Sequence, residues 1–161
     1  MFYLDLFSAL HRHQVDYVLI GGLAVALHGV ERSTMDIDVC VVVSPGNLRQ
    51  LVAAAEELGL TPTLPVPLSS LTQIDLLTTW HKERNLLAFA LRAPDFAGVT
   101  VDVLLFPPID PPTLCEHALV IDIAGTPIRL AQIDDLIALK QHAGRPIDLA
   151  DIEHLKKLPK P

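Results

Sequence analysis

The sequence predicts a single mixed α+β domain, in which helices flank one sheet of parallel and antiparallel strands, and three observations carry that reading. The chain has 161 residues, half of them apolar, which suffices for one hydrophobic core. Its β-prone and helix-prone segments follow one another irregularly, without the strict alternation of an all-parallel doubly wound sheet. Prolines cluster within residues 62–67 and 107–112 while the composition on either side stays even, so they mark loops and no domain boundary. The expected domain is therefore residues 1–161, with two closing helices at about 131–156.

The elements follow in order. Leu4, Leu6, Phe7 and Leu10 recur at near-helical spacing and predict an amphipathic helix over 4–13. Tyr17-Val18-Leu19-Ile20 is a short β-prone run stopped by Gly21-Gly22, and residues 23–28 form a helix ended by Gly29. A polar loop at 31–34 leads into a second strand over 35–43, rich in Val and Ile. Ser44-Pro45 then starts a helix that runs to about residue 58, with Gly59 as its stop. Segment 69–82 reads as partly helical. Residues 85–92 and 99–106 read as strands on either side of a turn at 94–98. Residues 120–123 and 127–130 flank Ala124-Gly125-Thr126, a hairpin signature. Helices over 132–142 and 146–155, separated by Gly144-Arg145, complete the set.

Composition excludes several classes of function. The longest run without a charged or strongly polar residue, 17–27, falls far below the roughly 18 to 20 residues of a spanning helix, so no membrane role is expected. The first residues show no basic segment followed by an apolar stretch and a cleavage site, which makes a cytoplasmic location the default. Cys40 and Cys115, with no Cys-x-x-Cys, read as buried, reduced thiols. A net charge of −7 lacks the footprint of a protein that grips nucleic acid through phosphates. It leaves room for a site that needs carboxylates.

One stretch carries such chemistry. Asp36 and Asp38 lie two apart at the head of a strand and share a face, and the apolar run 39–43 behind them belongs to a covered strand. Like charges held there are tolerable with a cation between them, and hard carboxylate oxygens suit Mg²⁺. Asp102 interrupts another apolar strand, on the face opposite Val101 and Val103. If the two strands are neighbours, the three carboxylates could hold two metal ions for an in-line phosphoryl displacement. The side-chain-free turn at Gly21 and Gly22, followed by a helix, would let a triphosphate approach the backbone. The seven His residues show no ligand spacing.

Residues 17–29, with Arg32-Ser33-Thr34-Met35-Asp36-Ile37-Asp38, resemble the signature of the DNA polymerase β nucleotidyltransferase superfamily. Within it they look like the minimal and AbiEii-type toxin nucleotidyltransferases. The segment from Leu136 to Lys140, then Arg145-Pro146-Ile147-Asp148-Leu149-Ala150-Asp151, is similar to the closing helices of that group. The resemblance implies a nucleotidyltransferase-like mixed-sheet core that binds an NTP with Mg²⁺ and transfers a nucleoside monophosphate, releasing pyrophosphate. Asp36 and Asp38 would be the paired metal ligands, Asp102 the third catalytic carboxylate, and Lys140 a triphosphate contact. Gly21 and Gly22 would form the phosphate turn, although many relatives carry Ser at the second position. Arg32 and Ser33 read as phosphate contacts or as loop-capping residues. Arg145, Asp148 and Asp151 read as structural, with Arg145 bridging the two acids at the start of a helix. The acceptor remains open among tRNA or other RNA, a protein and a small molecule, as does a cognate toxin or antitoxin partner. A nucleotide-binding or protein-binding module with the same fold is the alternative.

Overall fold

The computed structural model describes residues 2–95 and 98–159. Its elements are α1 (Phe2–Arg12), β1 (Tyr17–Ile20), α2 (Gly21–Leu27), β2 (Asp36–Val41), α3 (Pro45–Glu57), β3 (Thr61–Pro62), a 3-10 turn (Leu68–Thr72), α4 (Ile74–Arg84), β4 (Ala88–Arg92), β5 (Thr100–Leu104), α5 (Pro111–His117), β6 (Leu119–Ile123), β7 (Thr126–Leu130), α6 (Ile133–Ala143) and α7 (Pro146–Lys156). The seven strands form one sheet in the order β3-β4-β5-β2-β1-β7-β6. The β1–β7 and β2–β5 pairs are parallel and the other four antiparallel. The expected mixed sheet is what the chain builds.

All four residues of β1 are buried, as a central strand covered on both sides requires. On β5 and β4 the burial alternates, as it does on β2 as far as Val39, after which Cys40 and Val41 are both buried. Ile37, Val39, Val41, Val101, Val103, Phe89 and Leu91 face the core. The other face carries a row of cross-strand neighbours, Ile20, Asp38, Asp102 and Ala90, and beside it a second row, Val18, Cys40, Leu104 and Ala88. Ser44 caps α3 by accepting from the Asn47 main-chain N–H. Buried Asn47 in turn bonds the backbone of Asp16 and Val42, which locks the entry of β1 to the exit of β2.

Several boundaries differ from the sequence expectation. The second proline cluster is not all loop as its composition predicts: Pro111 opens α5, because proline at a helix start gives up an N–H that has no partner there anyway. The strand expected from residue 85 starts at Ala88, since α4 continues to Arg84 and Asn85 closes it in the left-handed region at φ 53°. The glycine pair is the first turn of α2 itself, with Gly21 at φ 73°. Of the turn at 94–98, Phe96 and Ala97 lie outside the described residues. Both cysteines are free; Cys40 is buried and Cys115 only half-buried. No helix among the described residues is long and apolar enough to cross a membrane.

Candidate active site

β2 and β5 run parallel in a register that sets Asp38 directly beside Asp102 and Asp36 beside Thr100. The alternation read from the sequence thus places all three carboxylates on one face, at one end of the sheet. The Thr100 hydroxyl donates to Asp36 Oδ1 at 2.7 Å. Burial pushes the Asp38 carboxyl up to about 7, reinforced by the charges of Asp102 and Asp36 and by a hydrogen bond with Asp102. Asp102 is raised too, first by burial and then by the charge of Asp36. The Asp38–Asp102 pair therefore holds a shared proton more tightly than isolated carboxyls would, as two like charges in one site must.

Gly21 closes over Asp38. A Cβ there would lie 2.7 Å from Asp38 Cγ and collide with its carboxylate oxygen, and the positive φ already disfavours any side chain. Gly22 is covered differently: a Cβ would fall 2.7 Å from Arg32 Cζ, because the guanidinium packs on this turn. A serine, common at this position in the resembled family, would have to displace Arg32.

Arg32 belongs to a second charged cluster. Its Nε donates to Asp151 Oδ1 at 2.8 Å, and Nη1 to the carbonyl of exposed Ser33 at 3.2 Å. The other oxygen of Asp151 accepts from Lys140 Nζ at 2.8 Å, and Lys140 also lies 3.6 Å from Asp148. Arg145 engages Asp148 through its main-chain N–H, Nε and Nη2. Arg145 thus holds one acid of α7 and does not bridge both; Arg32 and Lys140 share the other. Burial alone would raise Asp148 and Asp151, yet the hydrogen bonds and charges of Arg145 on the first, and of Lys140 and Arg32 on the second, hold both below the usual carboxylate range.

The clusters meet at a cavity of about 140 Å³ whose lining includes Gly21, Asp38, Lys140, Arg145 and Asp148. Lys140 therefore stands next to the carboxylate pair, buried and already ion-paired. The sequence reading treated the α7 acids as local helix features and missed the link from Asp151 to Arg32, 119 residues away. An unexplained loop arginine beside a carboxylate motif was the only signal for it.

The all-oxygen donor set matches a hard divalent cation, and such a cation would oppose the burial and the like charges that raise the proton affinity of Asp38. Among the described residues, however, no three carboxylate, His or Cys groups are already arranged to hold a metal ion.

Several solved structures share the fold. The antibiotic-resistance factor ANT(2'')-Ia, crystallised with adenylyl-2''-tobramycin, is 18% identical, with a TM-score of 0.57 over 96% of this chain and 85% of its own. The lincosamide antibiotic adenylyltransferase LnuA, bound to lincomycin, is 17% identical, with a TM-score of 0.59 over 98% and 94%. TM1012 from Thermotoga maritima is 15% identical, with a TM-score of 0.58 over 94% and 86%. No curated protein matches the chain. A family model described as a nucleotidyltransferase of unknown function, DUF6036, matches residues 4–90, a span that takes in the glycine turn, Arg32, Asp36 and Asp38. With over half its length so matched, the chain belongs to the DUF6036 family of nucleotidyltransferases.

Proposed function

We propose that residues 1–161 act as one Mg²⁺-dependent nucleotidyltransferase unit that moves a nucleoside monophosphate from an NTP to an acceptor. The observation that carries this reading is the pairing of Asp38 with Asp102 across β2 and β5, one strand away from the Gly21 turn. Asp36, Asp38 and Asp102 would hold the metal ions, which when bound would neutralise charge on the transferring phosphate and acidify the attacking hydroxyl. Gly21, Gly22, Arg32, Ser33 and Lys140 would face the triphosphate. Three cations, Arg32, Lys140 and Arg145, meet the two carboxylates Asp148 and Asp151, so this group of five side chains offers one positive charge in excess to a polyanion.

In the reaction the acceptor oxygen forms a bond to the α-phosphorus, and the bond from that phosphorus to the bridging oxygen breaks. Pyrophosphate leaves with the electron pair. Asp102 takes the acceptor proton, a role its raised proton affinity suits. Among RNA, protein and small-molecule acceptors, the acidic balance of the chain and the small antibiotics named with ANT(2'')-Ia and LnuA favour a small molecule.

The similarity of residues 136–151 to AbiEii-type helices supports a narrower reading, in which the chain works with a toxin or antitoxin partner. A nucleotide-binding module without transfer is the second reading, favoured by the hydrogen bond that draws Asp36 to Thr100. Incubation with each α-labelled NTP, Mg²⁺ and a cell extract separates them. Label on an acceptor with pyrophosphate release supports the enzyme, whereas Mg²⁺-dependent nucleotide binding without label transfer supports the module.

A further inference from the structure

We propose that a groove beside the carboxylates, floored by Ala88 and Ala90, is the acceptor subsite, and that it takes a small molecule whose reactive hydroxyl is carried on an apolar aromatic or alicyclic body. The inference rests on the nucleotidyltransferase reading and adds the chemical class of the acceptor. It starts from the register. Ala90 pairs with Asp102, and Asp102 with Asp38; paired Cα atoms on neighbouring strands lie about 5 Å apart, so Ala90 sits about 5 Å from Asp102 and about 10 Å from Asp38. Cross-strand partners share a face, so the groove floor and the carboxylates form one continuous surface.

The order of strands then decides which substrate lies where. From Asp38 the Gly21 turn is reached one strand to one side, through β1, and Ala90 two strands to the other, through β5 and β4. An in-line displacement needs the attacking oxygen and the leaving pyrophosphate on opposite sides of the α-phosphorus. With the triphosphate on the Gly21 side, the acceptor must enter over Asp102, from the groove.

The groove's chemistry selects the occupant. It encloses about 610 Å³, within the roughly 300–1,000 Å³ of small-molecule sites. Its walls include Trp80, Leu86, Val66 and Leu64. Two large apolar side chains at its rim stay in solvent, Leu87 at 63% and Leu64 at 47% exposure, where an apolar ligand would cover them. Of the described residues that line it, Arg84 alone is charged. A polyanionic acceptor such as RNA would meet an apolar surface on a chain of net charge −7, with one arginine to neutralise its phosphates.

Trp80 is the chain's single tryptophan, so its fluorescence reports occupancy directly. The probes are phenyl β-glucoside, 2-phenylethanol and cyclohexylmethanol, with glucose as the control lacking an apolar body. Binding of ATP, GTP, CTP and UTP, each with magnesium, is followed separately by calorimetry. The expected result is a saturable change with at least one apolar alcohol and none with glucose. Leu87→Asp, an exposed substitution, should weaken that binding at least tenfold while leaving the affinity for the NTP that binds within twofold, and Asp38→Asn should leave the fluorescence response in place. NTP binding without a response to any apolar alcohol would overturn the acceptor proposal and leave the nucleotidyltransferase reading standing. A fluorescence response without binding of any of the four NTPs would overturn both, since the groove would then be a ligand site unconnected to nucleotide transfer. A saturable response to a short RNA but to none of the alcohols would replace the proposed acceptor class.

Discussion

Two groups of carboxylates lie within one small region of this molecule, and they are built on opposite rules. Asp148 and Asp151 on α7 are each matched by cations, with Arg32, Lys140 and Arg145 within 2.7 to 3.6 Å, and both are held ionised. Asp38 and Asp102 on the sheet face each other, and burial with mutual charge drives their proton affinity up. A fold that needed carboxylates only for stability would have matched both groups. On the proposed reading, the mismatch on the sheet marks groups kept for a ligand that brings positive charge, and the matched pair on α7 fixes the cations beside it.

The contrast can be broken most severely in turnover. Asp102→Asn should lower label transfer by roughly 10²–10⁴-fold without lowering the melting temperature, because it removes a half-buried like-charge contact; a large loss of stability in that variant would place Asp102 among structural residues. The reverse is expected on α7. Asp151→Asn strips Lys140 and Arg32 of a shared partner, and breaking a buried pair costs about 3–5 kcal/mol, measurable by urea unfolding.

A smaller effect tests how the halves are joined. Gly22→Ser must push the Arg32 guanidinium off the turn, at about 1–3 kcal/mol for an overpacked site. Most of that cost should vanish when Arg32→Ala is the background, so a double-mutant cycle reads the contact directly.

The subtlest comparison is pH. Asp38 binds its proton more tightly folded than unfolded, so its contribution to stability is complete below the ordinary carboxylate range and is lost as pH rises through about 7. Asp148 and Asp151 behave oppositely: their contribution is present above that range and lost as pH falls through their depressed values. The metal-free protein should therefore be less stable at pH 8 than at pH 5, by on the order of 2 kcal/mol. Asp38→Asn should flatten that alkaline limb and leave the acid limb unchanged.

How much of this was legible in the sequence depends on distance along the chain. Gly21-Gly22 and Asp36-x-Asp38 lie within 18 residues of one another, and period-two alternation put Asp102 on the correct face of its strand. The β2–β5 register, which makes Asp38 and Asp102 neighbours, is a tertiary choice that no local pattern encodes. The same holds for Arg32 with Asp151, a contact that spans 119 residues of chain. Proline misled at α5 because its preference for loops and its tolerance at helix starts leave the same trace in composition. The groove at Ala88 and Ala90 was invisible, since two alanines become a floor only when α4 and the segment around Leu64 rise on either side of them.

The account's central claim is that the unmatched carboxylates carry the chemistry and the matched ones the frame, and it is tested most directly by transfer of label from an α-labelled NTP by Asp36→Asn/Asp38→Asn beside the unmodified chain. Loss of transfer, with a circular dichroism spectrum and melting temperature equal to or above those of the parent, is the predicted result. Transfer at the parent rate in that double variant would contradict it.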